Sequence, residues 1–323
     1  DRKALPSVGA APVASTGARV PPRDPLEADL VRRYEDALGR RGIGIHDGFF
    51  DLGGHSLLAA RMADDYESET GVRLPLTALF VDDTVAHLAQ AIRLGSLAAH
   101  AEIAPLHERG TRTPFVYVHG DFMAAGFHTH SLARLLGPEQ PIYVVHPHGL
   151  ADRSIPTSIE AMAADRLRVL RAMRPHGPYV VGGHCNGAFV AFELARQLID
   201  AGEEVPAVIV VDASAPGATG GGAPDEAAVS AVLTSAGFPV AHDRMSDLAH
   251  RLYRAMLAYR GGRLDTHRAV VRAGESDTSA HDEHWRRFAR TFELQVIPGD
   301  HKSLVTGENA DAFAAVVRGV IDR

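Results

Sequence analysis

Residues Pro178–Leu198 read PYVVGGHCNGAFVAFELARQL. A β-rich run ends in Gly182-Gly183, and an apolar helical pattern begins a few residues later. Between them, Gly183-His184-Cys185-Asn186-Gly187 fits the frame Gly-x-Ser-x-Gly, with cysteine in the place of serine. A strand, a tight turn and a helix in this order lift the middle residue of the turn into the open, and the glycines permit the strained backbone this needs. Cys185 then stands at a helix N-terminus, whose free N–H groups and partial positive charge favour a thiolate. A lone cysteine commonly serves as a small buried hydrophobe; the glycine spacing argues for a nucleophile instead. It is the only cysteine among 323 residues, which excludes an internal disulfide and suits a reducing cytoplasm.

Outward from this turn, short β-rich runs recur: PFVYVHG (114–120), PIYVVHPHG (141–149), AVIVVDAS (207–214), RAVVRAGES (268–276) and FELQVIPGDH (292–301). Each ends in Gly, His, Asp or Ser, and helical stretches separate most of them. Alternating β and α predicts a doubly wound, mostly parallel sheet, whose sites gather at the carboxyl ends of the strands. A nucleophile at Cys185 needs a base, and the base needs an orienting acid. His301 follows the final strand, which matches the chain order nucleophile, acid, histidine. For the acid, Asp212 closes the strand after the elbow helix, while Glu275 and Asp277 follow the next strand; the residues alone leave the three open. Between Asp212 and Arg268 no strand pattern occurs. That interval holds GATGGGAP (217–224) and two helical stretches, 225–236 and 243–259.

The rest of the chain has a different texture. Over all 323 residues, a hydrophobic content of 46% supports two domains, each with a core, and a formal net charge of −7 argues against broad affinity for nucleic acid or an anionic membrane. No apolar run has transmembrane length, and the N-terminus has no signal-peptide pattern. Eighteen histidines invite a metal, and His128/His130 and His146/His148 are paired, but no set has zinc-site spacing. Residues 1–22, rich in Pro, Ala, Gly and Ser, read as a linker. Asp24-Pro25 then opens a helix with an N-cap and a first-position proline, and Leu26, Leu30, Tyr34 and Leu38 line one face. Further helices are predicted from Ser56 and near Val81–Ile92, which makes 23–95 a small helical bundle. It carries 13 acidic and 8 basic residues, hence most of the negative charge of the chain. Within it, FFDLGGHSLL (49–58) sets apolar anchors, a Gly-Gly turn and then Ser56 at a helix start, where a phosphodiester is favoured. Serine at such a place also caps helices on its own account. The segment RLGSLAAHAEIAPLHERGTRT (93–113) reads as a second linker.

These motifs resemble two families. GIHDGFFDLGGHSLLAARM, GVRLPLTALF and TVAHLAQAI make residues 24–93 similar to a peptidyl carrier protein of a nonribosomal peptide synthetase. PFVYVHG, GGHCNGAFVAFELARQL, VIVVDASAP and VIPGDHKSLV make residues from about 104 to 323 similar to the C-terminal type I thioesterases of such synthetases. The resemblance implies an all-α four-helix carrier bundle followed by an α/β-hydrolase domain with a mostly parallel sheet and a helical lid insertion. The expected layout is a linker from a preceding adenylation domain (1–22, whose opening DRKALP resembles the tail of such a domain), the carrier (23–95), a linker (96–103) and the thioesterase (104–323), with the lid at about 213–263. The chain would then be a C-terminal piece of a longer protein. Ser56 is implied to carry 4′-phosphopantetheine, whose thiol holds the peptide as a thioester. The family position of the acid selects Asp212. The oxyanion hole is implied to use the N–H of Asn186 and one from the loop after VHG: Asp121 first, Phe122 as runner-up, because that loop lacks the glycines the family often has there. The implied partners are upstream condensation and adenylation domains, a phosphopantetheinyl transferase and a peptidyl thioester substrate, with no nucleic acid and no membrane.

Cysteine departs from the serine usual in this family. It is compatible with a replacement made to trap an acyl group, with a tolerated swap, or with a chemical purpose. Transfer from a pantetheine thioester to serine produces a less activated oxoester, whereas transfer to cysteine produces another thioester. The sequence is similar to cysteine-bearing terminal thioesterases of assembly lines that form β-lactones or β-lactams, which implies cyclising release. Hydrolytic release, an editing hydrolase, and a carrier joined to an inactive docking domain are the alternatives.

Overall fold

The structure is a computed structural model. It describes residues 19–54, 56–72, 74, 79, 82–94, 102–120, 126, 128–148, 155–217, 229–230, 244–276, 279–301 and 303–323. The chain divides into two compact units, Asp1–Leu97 and Ala98–Arg323.

In the first unit, helix α1 spans Pro25–Leu38. Asp24 caps it, its carboxylate accepting from the Glu27 N–H at 3.0 Å, and Gly39 ends it in the left-handed region at φ 61°. Leu30 and Tyr34 of the expected apolar face are fully buried. Helix α2 spans Ser56–Thr70 and α3 spans Val85–Leu94. Tyr34 ties α1 to the segment before α3 by donating to the Asp83 carbonyl at 2.9 Å.

The second unit holds a seven-stranded sheet in the order β1-β3-β2-β4-β5-β6-β7. The strands are β1 Ile103–Leu106, β2 Phe115–Val118, β3 Ile142–Val145, β4 Val180–His184, β5 Ala207–Val211, β6 His267–Ala273 and β7 Thr291–Ile297. All six expected strands are present and pair in parallel. β1 is an addition: four residues of the segment read as linker pair antiparallel with β3, Ile103 opposite Val145. Its Ala-Pro centre carries no strand pattern, and the edge position tolerates the proline. The central strands are buried along their whole length, which explains their unbroken Val/Ile runs.

On one face, α5 (Ile159–Met173) packs beside the elbow helix α6 (Gly187–Asp200), with Phe189, Phe192, Leu194 and Leu198 in the core. On the other, α4 (His128–Leu136) packs against the last helix, α9 (Ala310–Ile321). Within the expected lid, α7 spans Arg244–Ala258, close to the helix foreseen at 243–259. The other foreseen helix, 225–236, lies outside the described residues except for positions 229 and 230, which are helical. Helix α8 is Ser279–Arg286. Among the described residues no helix is long and apolar enough to cross a membrane.

Candidate active site

The candidate residues converge at the carboxyl ends of the central strands. Cys185 follows β4 with φ 55°, a left-handed backbone that a side chain other than glycine adopts only under constraint. The tight packing of the elbow imposes it. A Cβ at Gly187 would lie 2.2 Å from the Val118 carbonyl, so only glycine lets α6 start so close to β2. Cys185 is partly exposed, at the point where the turn enters α6.

Asp212 closes β5, also with a left-handed φ, 42°, and is 5% exposed. His301 lies in the loop after β7, and its Nδ1 is 2.6 Å from Asp212 Oδ2. Two further donors serve the same carboxylate: the Ala273 N–H reaches Oδ1 at 3.1 Å, and Ser276 Oγ donates to Oδ2 at 2.7 Å. Burial opposes ionisation of Asp212, but the bonds from His301, Ser276 and Ala273 outweigh it and hold the carboxyl below its usual range. His301 is pushed up to about 10, first by its bond to Asp212 and then by its bond to Cys185, which occupies its other side. The bond to Asp212 thus favours the protonated imidazole, and the three side chains stand in hydrogen-bonded sequence.

Of the alternatives for the acid, Glu275 is exposed on the turn after β6, and Asp277 lies outside the described residues. Asn186, at the head of α6, is 6% exposed, and the backbone of the β2–α4 loop comes close to its N–H at Gly120. The expected second oxyanion donor, Asp121, and the runner-up Phe122 lie outside the described residues.

Sequence reading missed several neighbours. Ser276 was visible only as the last letter of a strand run. Tyr253 of α7 accepts from Asn186 Nδ2 at 3.5 Å through its hydroxyl; burial, then the nearby charge of Cys185, raises its pKa and favours the neutral phenol. His119 Nε2 and His146 Nδ1 are 2.7 Å apart in the interior. These contacts join residues remote in sequence and have no local motif. A cavity of about 20 Å³ beside Asn186 is bounded by Val118, His146, Met162, Val190 and, from α7, Leu252, which is room for about one water. Among the described residues no group of three or more His, Cys, Asp or Glu is placed to hold a metal ion.

Residues 123–320 match the thioesterase domain family, which is more than half of the chain. The chain belongs to that family. The thioesterase is accordingly an acyl-thioester hydrolase of α/β-hydrolase type. Residues 28–92 match the phosphopantetheine attachment site family, so a carrier domain precedes the thioesterase, and such domains bear covalent 4′-phosphopantetheine.

Among curated proteins, the chain is 39% identical over 219 residues to the malpibaldin synthetase of Mortierella alpina, covering 67% of this chain and 4% of that protein. It is 36% identical over 220 residues to a dimodular nonribosomal peptide synthase of Bacillus subtilis (strain 168), covering 66% of this chain and 9% of that protein. The chain thus spans less than a tenth of these relatives. Among solved structures, holo-AB3403, a four-domain nonribosomal peptide synthetase bound to AMP and glycine, matches 99% of this chain and 27% of its own at 26% identity and a TM-score of 0.57. The NocB thioesterase domain from the nocardicin cluster shares the fold: TM-score 0.56, 23% identity, 69% of this chain and 100% of that one.

The carrier residues fit the phosphopantetheine group. Ser56 is the first residue of α2, although its side chain lies outside the described residues. Ahead of it, Gly53 takes φ 97°, and a Cβ at Gly54 would lie 2.3 Å from the Phe49 ring, so the loop closes on that ring before delivering Ser56. Asp83 holds the loop, its carboxylate accepting from the Phe50 N–H at 2.7 Å and its carbonyl from the Phe49 N–H at 3.1 Å. The free N–H groups and dipole of a helix start suit a phosphodiester.

Proposed function

We propose that the chain is the terminal carrier and release unit of a nonribosomal peptide synthetase, with Ser56 as the attachment point and Cys185, His301 and Asp212 as the release machinery. The observation that carries this reading is the single line from Asp212 through His301 to Cys185, standing at the mouth of the elbow. When attached at Ser56, the phosphopantetheine group supplies a thiol that presents the peptide as a thioester.

The residues of the chain divide the work. His301, oriented by Asp212, takes up the proton of Cys185 as Sγ attacks the acyl carbonyl. The Asn186 N–H, at the head of α6, stabilises the negative oxygen of the tetrahedral adduct. His301 then gives its proton to the departing thiol, and the peptide is held on Cys185 as a thioester. In the second half, neutral His301 takes a proton from an incoming nucleophile, that nucleophile bonds to the acyl carbon, and the proton passes to the sulfur of Cys185 as it leaves.

An internal amine or hydroxyl of the peptide releases a ring, and water releases an acid. The cysteine favours the ring, because the acyl group remains an activated thioester until the last step; a strained β-lactone or β-lactam needs that activation most. Hydrolytic release is the second reading, supported by the hydrolase class of the family. The test is the mass of the product released after loading the carrier through a phosphopantetheinyl transferase and coenzyme A. A product lighter than the linear acid by one water supports cyclisation. Label uptake by Ser56→Ala would overturn the attachment site, and full turnover by Cys185→Ala would overturn the nucleophile.

A further inference from the structure

His184, the last residue of β4 and the one before Cys185, is 6% exposed. Its Nε2 lies 3.3 Å from the backbone carbonyl oxygen of His301. A carbonyl only accepts, so Nε2 carries the hydrogen and donates it. A neutral ring with its proton there leaves Nδ1 bare, and Nδ1 is buried with no hydrogen-bond partner among the described residues. The ring also lies face to face with the His301 ring, centroids 4.8 Å apart and planes 27° apart. A phenylalanine would fill the same space without leaving a buried nitrogen bare. The donor to the carbonyl is what an imidazole adds.

The surroundings keep this ring uncharged. Burial, then the charges of His128 and His301, holds His184 well below the ordinary histidine range, while the His301 carbonyl and the Asp212 charge pull weakly the other way. His128, on α4, meets it edge-on at 5.8 Å. A neutral aromatic face beside an imidazolium is attractive, whereas a second cation there would repel it. His301 sits in a loop, and its side chain is 41% exposed, so Asp212 alone fixes only one edge of the ring.

We propose that His184 is a positioning residue for His301: it clamps the loop through the carbonyl and supplies the stacking face that sets the plane of the ring between Asp212 and Cys185. This rests on the assignment of His301 as the base. Two variants of the intact didomain divide the roles. His184→Phe retains a ring and loses the donor; His184→Gln retains a donor of similar reach and loses the ring. With an acyl-N-acetylcysteamine thioester as the probe, either variant is expected to lower kcat about tenfold or more with KM little changed. By nitrogen-15 NMR, the titration midpoint of His301 should fall in both.

Wild-type spectra provide a check that no variant can spoil. They should report His184 protonated on Nε2 and bare on Nδ1 from pH 5 to pH 9. A proton on Nδ1, or titration of His184 within that range, overturns the proposal. So do folded variants with wild-type kcat and an unshifted His301 midpoint. His301→Ala separates the two assignments. If it leaves the alkylation of Cys185 by iodoacetamide and the turnover intact, the base itself is wrong and His184 has nothing to position. If it abolishes them while the His184 variants behave as wild type, only the role of His184 is removed.

Discussion

His301 Nδ1 lies 2.6 Å from Asp212 Oδ2, across two strand ends that are 89 residues apart in sequence. Asp212 in turn accepts from Ser276 and from the Ala273 N–H, so its second oxygen is committed and the carboxylate cannot rotate away. Asp212→Asn should therefore leave the fold intact and present an amide where the imidazole needs an acceptor. Acylation of Cys185 is expected to slow by up to about 10⁴, the scale of the equivalent change in a serine-protease triad. Single-turnover rates with a thioester substrate check this. Near-normal rates in Asp212→Asn together with a crippled Glu275→Gln would transfer the role of the acid.

The same pair makes stability depend on pH with a definite sign. The folded-state pKa of His301, about 10, lies above its ordinary value of 6.5, so the native state binds the proton more tightly. Its contribution is fully present below about pH 6.5 and is lost as pH rises through about 10. Asp212 is shifted down, so its contribution is present above the ordinary carboxyl range and is lost on acidification through its lowered value. The difference in melting temperature between wild type and Asp212→Asn should therefore be larger at pH 5.5 than at pH 10. A difference that grows toward pH 10 would contradict the ion pair.

Cys185→Ser tests whether the thiol has a chemical purpose. His301 can still accept a hydroxyl proton, so the variant should acylate. Its oxoester is less activated, and the proportion of ring to linear acid should fall, or the acyl-enzyme should accumulate. Product masses and intact-protein masses on one substrate suffice. Equal ratios and equal rates would leave cysteine as a tolerated substitute for serine.

Helix α7 should move during turnover. Leu252 and Tyr253 project from it onto the elbow beside Asn186, where the cavity has room for about one water, and displacing this helix would open that space to an acyl group. Tyr259, at its end, is held by Glu193 of α6 at 2.8 Å, which makes that end a hinge. Hydrogen exchange is expected to be faster in Arg244–Ala258 than in β4 and β5. Equal protection would remove the lid assignment.

Arg268 offers a stability test away from the site. Its guanidinium is fully buried between Phe192 and Trp285, 4.6 Å and 5.3 Å from their rings, and donates to the Trp285 carbonyl at 3.1 Å. Its Nε and one Nη find no acceptor among the described residues, and burial depresses its proton affinity. Arg268→Met keeps most of the volume and removes the unsatisfied donors. Buried ionic groups replaced by well-packed apolar ones are often neutral or stabilising. A melting temperature equal to or above wild type is expected; a loss of more than about 3 kcal/mol, the scale of a core cavity, would mean the cation is anchored by its aromatic neighbours.

Local chemistry in the sequence was enough for six of the seven strands and for α1. The Val/Ile runs of β2 to β6 are long and apolar because both faces are covered. The Asp24-Pro25 start of α1 and the glycine frame around Cys185 are backbone requirements that few residues satisfy, so they are legible one residue at a time. β1 was not legible, since a four-residue edge strand holding Ala-Pro is selected by its pairing with β3 and not by its own preference. Nor could local pattern choose among Asp212, Glu275 and Asp277. Each follows a strand, and only the twist and order of the sheet bring one carboxylate, Asp212, to His301 while leaving Glu275 exposed on its turn. Ser276 behind that carboxylate, Tyr253 over Asn186 and His184 stacked on His301 belong to the same class. They are contacts between side chains remote in sequence, decided by how the layers pack, and a one-dimensional pattern contains no term for them.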